Sequence, residues 1–409
     1  MIKVLYVASR LPSRSETFVY REVLALRELG WDVMIGSLRG PFNFDDDARL
    51  SQLAREAHVA YSLALLRLPL AMTRFPRAFL SIVKDAFSKG AGSLQTRAKI
   101  IAQGLAGLCL AHKLRHQELQ HVHAHMAHSA TGLAMYVAKA LKIPFSFTGH
   151  AQDLFVSSNG LKQKLARTAG VAAISHWHQD FYRRISPGIG LAPVIRCGVD
   201  TRQFAPSAKE GSDTIKILAV GRLVPKKGFD HLLHAIDNLR QRGFLDKQTH
   251  VIIAGGGPEE QRLKCLIEEL RLEKLVTMPG EQSNAKVRDL MHDTDIFVLP
   301  CVEAKDGDRD GIPVVLMEAM ACGLPVVAGD IDPIRELVQH QKTGLMVSAA
   351  DHDALADALL ALISNPDYRN QLGKAGREMV EAEFSKTVNV ERLTRFFDQI
   401  REKETSHAA

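Results

Sequence analysis

The sequence predicts an α/β fold of two Rossmann-like, doubly wound domains facing across a cleft, and three observations carry that prediction. Short apolar runs alternate with amphipathic stretches along the chain, the pattern of parallel strands joined by crossover helices. At GVDTRQFAPSAKEGSDT (198–214) apolar periodicity gives way to Gly, Pro, Ser and charge, as in a linker. The 409 residues are also too many for one compact core. The expected division is a first domain over 1–205, a second over 206–385, and a final helix over 386–409 that packs back on the first.

In the first block, IKVLYVAS (2–9) reads as a strand leading into the helix ETFVYREVLALRELG (16–30), whose Gly30 suits a C-terminal cap. WDVMIGSL (31–38) reads as the next strand. After a basic segment come HVHAH (121–125), the helix SATGLAMYVAKALKI (129–143), and PFSFTGH (144–150). AGVAAIS (169–175) and PVIRCGVD (193–200) close the block as short strands. The second block opens on IKILAVGR (215–222), followed by a helix from Asp230 and by HVIIAGGG (250–257). LVTMPG (275–280), DIFVLP (295–300), LPVVAG (324–329) and TGLMVS (343–348) continue the alternation. Open α/β sheets bind ligands outside the C-terminal ends of their strands, so the chemistry is expected there.

Composition is that of an ordinary globular protein, 46% hydrophobic and 24% charged. The opening MIKVLYVASRLP lacks the apolar core and cleavage site of a secretory signal, and no uncharged run reaches spanning length. Five scattered cysteines form no C-x-x-C pair, which argues against a zinc knuckle or a disulfide frame and fits a reducing cytoplasm. Positive charge is concentrated in one place. Between Arg55 and Glu118 ten Lys/Arg stand against three acids, an excess of +7 where the whole chain has +6. In LALLRLPLAMTRFPRAFLSIVKDAF the cations are interleaved with greasy runs. Such a segment either lies on anionic lipid at the inner face of the cell membrane or is a pair of surface helices that merely covers the first domain with the cations wet. Nucleic acid is excluded as a partner, because stacking aromatics and recognition motifs are missing.

The stretch DGDRDGIPVVLME (306–318) resembles the start of a calcium loop, but the register fails. Position 12 is Met317, Glu318 falls one place late, and Pro313 lacks an N–H the loop would use. GGGPEE lacks the G-x-G-x-x-G spacing of a dinucleotide site, and neither first βα turn is glycine-rich enough to cradle a pyrophosphate by backbone alone. His121, His123 and His125 stand at strand spacing with His128 beyond, yet no neighbouring acid or cysteine in the sequence completes a zinc shell, so no metal site is expected. Arg222-x4-Lys227 places two cations at a strand exit, where a planar fork and a point charge suit a diphosphate. Across the same edge, Asp310 precedes a helix containing Glu318, and the amides of Gly311, Ile312 and Val314 lie near its N-terminus, which favours an anion. Two carboxylates beside an anion site are suited to hydroxyls. Ser15 or Thr17 is expected to cap the first helix.

GRLVPKKG, the Asp-x7-Glu span and EAMACGLPVVAG resemble the donor-domain signature of family 4 retaining glycosyltransferases of the GT-B fold. GVDTRQFAP is similar to that family's interdomain motif, and SETF and SFTGHAQDLF resemble its exopolysaccharide-assembly branch. The resemblance implies that Arg222 and Lys227 bind and stabilise the leaving diphosphate of a sugar nucleotide, UDP first and GDP next. Glu318 would hold the ribose, the base would rest near Met278 to Gly280, and Asp310, where relatives carry Glu, would contact the transferred sugar. His150 matches the family histidine that faces the donor sugar, with acceptor contacts from Ser15, Glu16, Thr17, His125 and Asp153. The family needs no metal or cofactor, and the acceptor implied is a glycan or a polyprenyl-diphosphate-linked glycan. Two alternatives stand beside a sugar transferase: a nucleotide-sugar 2-epimerase of the same fold, and a catalytically silent sugar-nucleotide-binding protein.

Overall fold

The computed structural model describes residues 2–408 except 14–15, 43, 45–46, 63–65, 89–91, 151–153, 155–159, 208–213, 246–248 and 349, and the side chains of 407 and 408. The chain folds into two compact units, Met1–Arg196 with Asn389–Ala409, and Cys197–Val388.

The first unit is built on β1 (Lys3–Ala8), β2 (Asp32–Ser37), β3 (His58–Val59), β4 (His121–His125), β5 (Phe145–Gly149) and β6 (Gly170–Ala173). These form a six-stranded parallel sheet in the order β3-β2-β1-β4-β5-β6. Its period-2 alternation sorts side chains between two cores. Leu5, Val7, Val122, Ala124 and Phe147 enter one, packed by the helices Leu94–Leu114 and Ser129–Leu141. Val4, Tyr6, Ala8, Val33 and Ile35 enter the other, covered by the helix Thr17–Glu28 and by Leu393, Phe396 and Phe397 of the terminal helix Lys386–Ala408. Both faces are buried, which is why the strands read as near-continuous apolar runs.

The second unit repeats the topology. Its strands β7 (Ile215–Val220), β8 (Thr249–Ala254), β9 (Val276–Gly280), β10 (Ile296–Leu299), β11 (Val326–Gly329) and β12 (Leu345–Val347) are parallel and ordered β12-β11-β10-β7-β8-β9. Both sheets therefore reverse direction once, between β1 and β4 and between β7 and β10. Those reversals are the switch points where open α/β sheets take ligands.

Two expectations are corrected. PVIRCGVD (193–200) forms no strand; it makes isolated bridges from Ala173 to Val194 and from Val199 to Ser385, and the division between units falls within it. Pro193 brings no N–H to a ladder, and the segment is occupied in passing between units. The basic segment, expected as no more than a pair of surface helices, holds β3 and the three helices Leu68–Arg74, Pro76–Ala86 and Leu94–Leu114 among the described residues. Asp85 anchors it: its carboxylate takes two bonds of 2.6 Å from Arg167 and one of 2.8 Å from Tyr136. The outward side keeps apolar residues in water, with Leu66 80%, Leu80 64% and Phe87 69% exposed. No helix among the described residues is long and apolar enough to cross a membrane.

Candidate active site

In the second unit, β7 ends at Val220 and the chain turns through Gly221 and Arg222 into a short 3-10 turn, Pro225–Lys227, before the helix Phe229–Gln241. Gly228 makes this turn possible. Its φ is +67°, and a Cβ there would stand 2.1 Å from the Pro300 carbonyl oxygen at the end of β10. That close approach brings the lysines against the loop after β10, where the Val302 N–H donates to the Lys226 carbonyl at 2.9 Å.

The acids of the 306–310 run serve these lysines. Lys226 Nζ lies 2.9 Å from Asp308 Oδ1 and 3.5 Å from Asp310 Oδ1, and Lys227 Nζ lies 2.7 Å from Asp310 Oδ2. The Cys301 thiol donates to Asp310 at 3.2 Å. The Lys227 and Asp310 side chains are 11% and 13% exposed, so the pair is largely out of water. Burial pushes the Lys227 ammonium down and the Asp310 carboxyl up, but their opposite charges outweigh it. Lys227 is held above its ordinary value and Asp310 below, with Lys226 assisting. The same surroundings, burial first and then Asp310, keep Cys301 a neutral thiol. Lys226, which the sequence places with Arg222 and Lys227 at the strand exit without a role, is thus a full member of the cluster. Its only outward signal was the doubled lysine.

Arg222 differs from its neighbours. It is exposed, and among the described residues its guanidinium makes no hydrogen bond or ion pair, although its charge bears on Lys227. Gly311 and Ile312 are buried just ahead of the helix Val314–Ala321, which starts at Val314 and carries buried Glu318 one turn later. Burial and then the charge of Glu318 push the Cys322 thiol up to about 12. Met278 and Gly280 lie at the C-terminal end of β9, on the same sheet edge, with Gly280 paired to Ala254.

In the first unit, the three strand histidines point to the Tyr6 face of the sheet, and each finds partners. His121 Nε2 and His123 Nδ1 both lie 2.7 Å from Ser146 Oγ, and His123 Nε2 lies 3.1 Å from Thr148 Oγ1. His125 bridges His150 Nε2 at 3.1 Å and Glu22 Oε1 at 2.9 Å. The ring of Phe18 lies 4.5 Å from that of His150, and the His150 carbonyl accepts from His178 at 2.6 Å. Burial, then the neighbouring histidines, holds His123 and His150 far below the usual imidazole range, and burial takes His121 to about 3. All three are neutral at pH 7.

The expectation that no acid stands near these histidines is corrected. Glu22, His123 and His125 place ligand atoms within 4.8 Å of one another. Both ring nitrogens of each histidine are already hydrogen-bonded, so a metal ion would have to displace Ser146, Thr148 or His150. Of the first-unit residues, His150, expected to face the donor sugar, and His125, expected to contact the acceptor, are brought together. Thr17 opens the helix Thr17–Glu28 and does not cap it; Glu16 precedes it and makes no side-chain capping bond. Ser15 and Asp153 lie outside the described residues.

Residues 200–379 match the family Glycosyl transferases group 1. Over 424 aligned residues the chain is 29% identical to a protein named as the colanic acid biosynthesis glycosyltransferase WcaL of Escherichia coli K12, covering 95% of this chain and 97% of that one. It is 34% identical to the amylovoran biosynthesis glycosyltransferase AmsK of Erwinia amylovora over 208 residues, 51% of this chain and 50% of AmsK. The crystal structure of Anabaena HepE in complex with UDP and glucose superposes with a TM-score of 0.72 at 18% identity, over 97% of this chain and 99% of that one, a likeness of fold. The fold is GT-B, residues 200–379 are a glycosyl transferases group 1 domain, and the chain is a glycosyltransferase.

Proposed function

We propose that this glycosyltransferase moves a sugar, with retention, from a nucleotide-diphosphate sugar to a hydroxyl of a glycan or lipid-linked glycan in the assembly of cell-surface polysaccharide. The observation that carries the reading is Arg222: an exposed cation, without a hydrogen bond or ion pair to the described residues, beside buried Lys227 at the switch point of the second sheet. Cations so placed suit the charge that develops on a departing diphosphate, and Asp310 suits a hydroxyl of the transferred sugar. Glu318 would take the ribose, and the β9 end near Met278 and Gly280 the base. The diphosphate itself would accept the proton of the incoming hydroxyl, so that attack comes on the face being vacated. His150 is the catalytic histidine of the first unit, and His125 serves the acceptor. Asp308 and Asp310 are engaged with lysines, and the reading gives charge neutralisation to Arg222 and Lys227 in place of a divalent ion. The names of WcaL and AmsK support a polysaccharide pathway, and the reading keeps UDP first and GDP next as the carrier.

The test is nucleoside diphosphate release from UDP-glucose and GDP-mannose, alone and with membranes as a source of acceptor. Arg222→Ala should cut turnover at saturating donor by roughly 10²–10³, as loss of one positioned donor to a developing anion does. Near-native turnover would sink the assignment. Recovery of an epimerised donor without transfer would favour the 2-epimerase.

The reading includes peripheral contact with the cytoplasmic face of an anionic membrane. On the helix Pro76–Ala86 and its exit, exposed Arg77, Leu80, Lys84 and Phe87 recur at helical spacing, and exposed Leu66, Arg67, Leu70 and Arg74 precede them. Apolar and cationic groups on one wet face suit a lipid–water boundary. Co-sedimentation with vesicles containing phosphatidylglycerol should exceed that with phosphatidylcholine alone, and should fall in an L80S/F87S variant. Binding indifferent to lipid charge would contradict it.

A further inference from the structure

The helix Thr17–Glu28 carries a buried-side acid that no part of the foregoing reading employs. Phe18 and Glu22 are four residues apart and share a helix face. Phe18 lies against the ring of His150, and Glu22 reaches the imidazole that His150 bonds. Tyr6 donates its hydroxyl to the same Glu22 oxygen. Burial, and then the charge of Glu22, holds the Tyr6 phenol far above its ordinary value, so Tyr6 is always the donor in that bond.

A carboxylate can only accept. His125 must therefore present Nε2–H to Glu22 Oε1 across 2.9 Å, and in the neutral imidazole Nδ1 is then a lone-pair acceptor. His150 Nε2, 3.1 Å from that Nδ1, must then carry a proton and donate it. The neutral state of His150 makes this a choice between two tautomers, and the chain Tyr6–Glu22–His125 decides it. Hydrogen bonding at one imidazole nitrogen commonly fixes the role of the other.

We infer that Glu22 is a positioning residue for sugar transfer: acting through His125, it locks His150 in the Nε2-protonated tautomer and fixes the ring's orientation. The inference rests on the assignment of His150 as a catalytic residue. Glu22 need touch neither donor nor acceptor, and its effect belongs on turnover and not on donor binding, since the donor residues lie in the other unit.

The test begins with the unaltered protein labelled with ¹⁵N-histidine, whose ring nitrogens report tautomers directly. A neutral His150 protonated at Nε2, and a His125 protonated at Nε2, are expected; His150 protonated at Nδ1 overturns the inference without any variant. Glu22→Leu removes the acceptor and should mix the His150 tautomers. It should also lower kcat by about 10-fold or more, the usual cost of losing an orienting partner, with the KM for UDP-glucose or GDP-mannose unchanged. Glu22→Gln keeps an acceptor oxygen and should recover part of that loss; should Glu22→Leu fail to fold, Glu22→Gln is measured alone. It is then expected to show both a shifted tautomer balance and a lower kcat, and an unchanged kcat despite a shifted tautomer overturns the inference. So does Glu22→Leu with native kcat. Full transfer by His150→Ala instead refutes the assignment of His150, a distinct failure. Loss in His150→Ala with none in Glu22→Leu defeats only the role given to Glu22.

Discussion

Replacing Asp310 with asparagine perturbs the buried charge cluster at its centre. The substitution keeps the shape, removes the charge 2.7 Å from Lys227 Nζ and 3.5 Å from Lys226 Nζ, and leaves Lys226 with Asp308. Lys227 is then a buried ammonium without its counter-charge. Removing one partner of such a pair costs about 3–5 kcal/mol. The Asp310 and Lys227 side chains are 13% and 11% exposed, so solvent screening offers little relief, and we take about 3 kcal/mol. For a unit of roughly 190 residues, that is a Tm lowered by about 6–12 °C. A diphosphate at the same lysine would supply the missing charge. Melting should therefore be followed by differential scanning fluorimetry with and without saturating UDP or GDP. The deficit of D310N should narrow when nucleotide is present, by about 1.4 kcal/mol for each tenfold by which the variant binds it more tightly than the parent. A variant melting within 1 °C of the parent, or a deficit that nucleotide leaves unchanged, would refute the reasoning.

Other outcomes follow from the same structure. His121, His123 and His150 are held neutral when folded and are free to protonate when unfolded, so stability should decline as pH falls below about 6.5 and continue down to about 3 for His121; urea titrations at pH 7.5 and 5 would show it, and equal midpoints would contradict it. The Asp310 contribution runs at lower pH. It is fully present above about 3.8, the unfolded value, and is lost only as pH falls through the depressed folded value; the matching Lys227 contribution is lost only above 10.5. Gly228→Ala forces a Cβ to 2.1 Å from a carbonyl oxygen at positive φ, so it should cost more than the ~1 kcal/mol of an ordinary glycine replacement and also weaken donor binding, read by calorimetry. Asp85→Asn weakens the bonds from Arg167, whose guanidinium is a third exposed, and should destabilise by about 1–2 kcal/mol while leaving UDP affinity intact, because Asp85 belongs to the other unit.

Much of the fold could be read in advance because both sheets are parallel and buried on both faces. Runs such as KVLYVA and IKILAV announce themselves without ambiguity between strand faces. In the basic segment a pair of surface helices is legible but their bounds and number are not, because exposed faces carry Leu80 and Phe87 where a polar residue would mark the period. PVIRCGVD misled by composition: it is apolar because it is covered, not because it is a strand. At the site, spacing brought Arg222, Lys226, Lys227 and Asp310 to one sheet edge, yet gave no hint that Asp310 pairs with Lys227 or that Lys226 pairs with Asp308 and Asp310. Those facts depend on Gly228 letting two loops meet. Glu22 was hidden for a related reason. It is about 100 residues from His125 in sequence, and only the packing of one helix on the sheet makes them partners.

The structure of the protein with UDP or GDP bound tests the central claim most directly. The account predicts the diphosphate within hydrogen-bond distance of Arg222 and Lys227, at the C-terminal ends of β7 and β10. Phosphates bound elsewhere, or a divalent ion chelated by Asp306, Asp308 and Asp310, would contradict it.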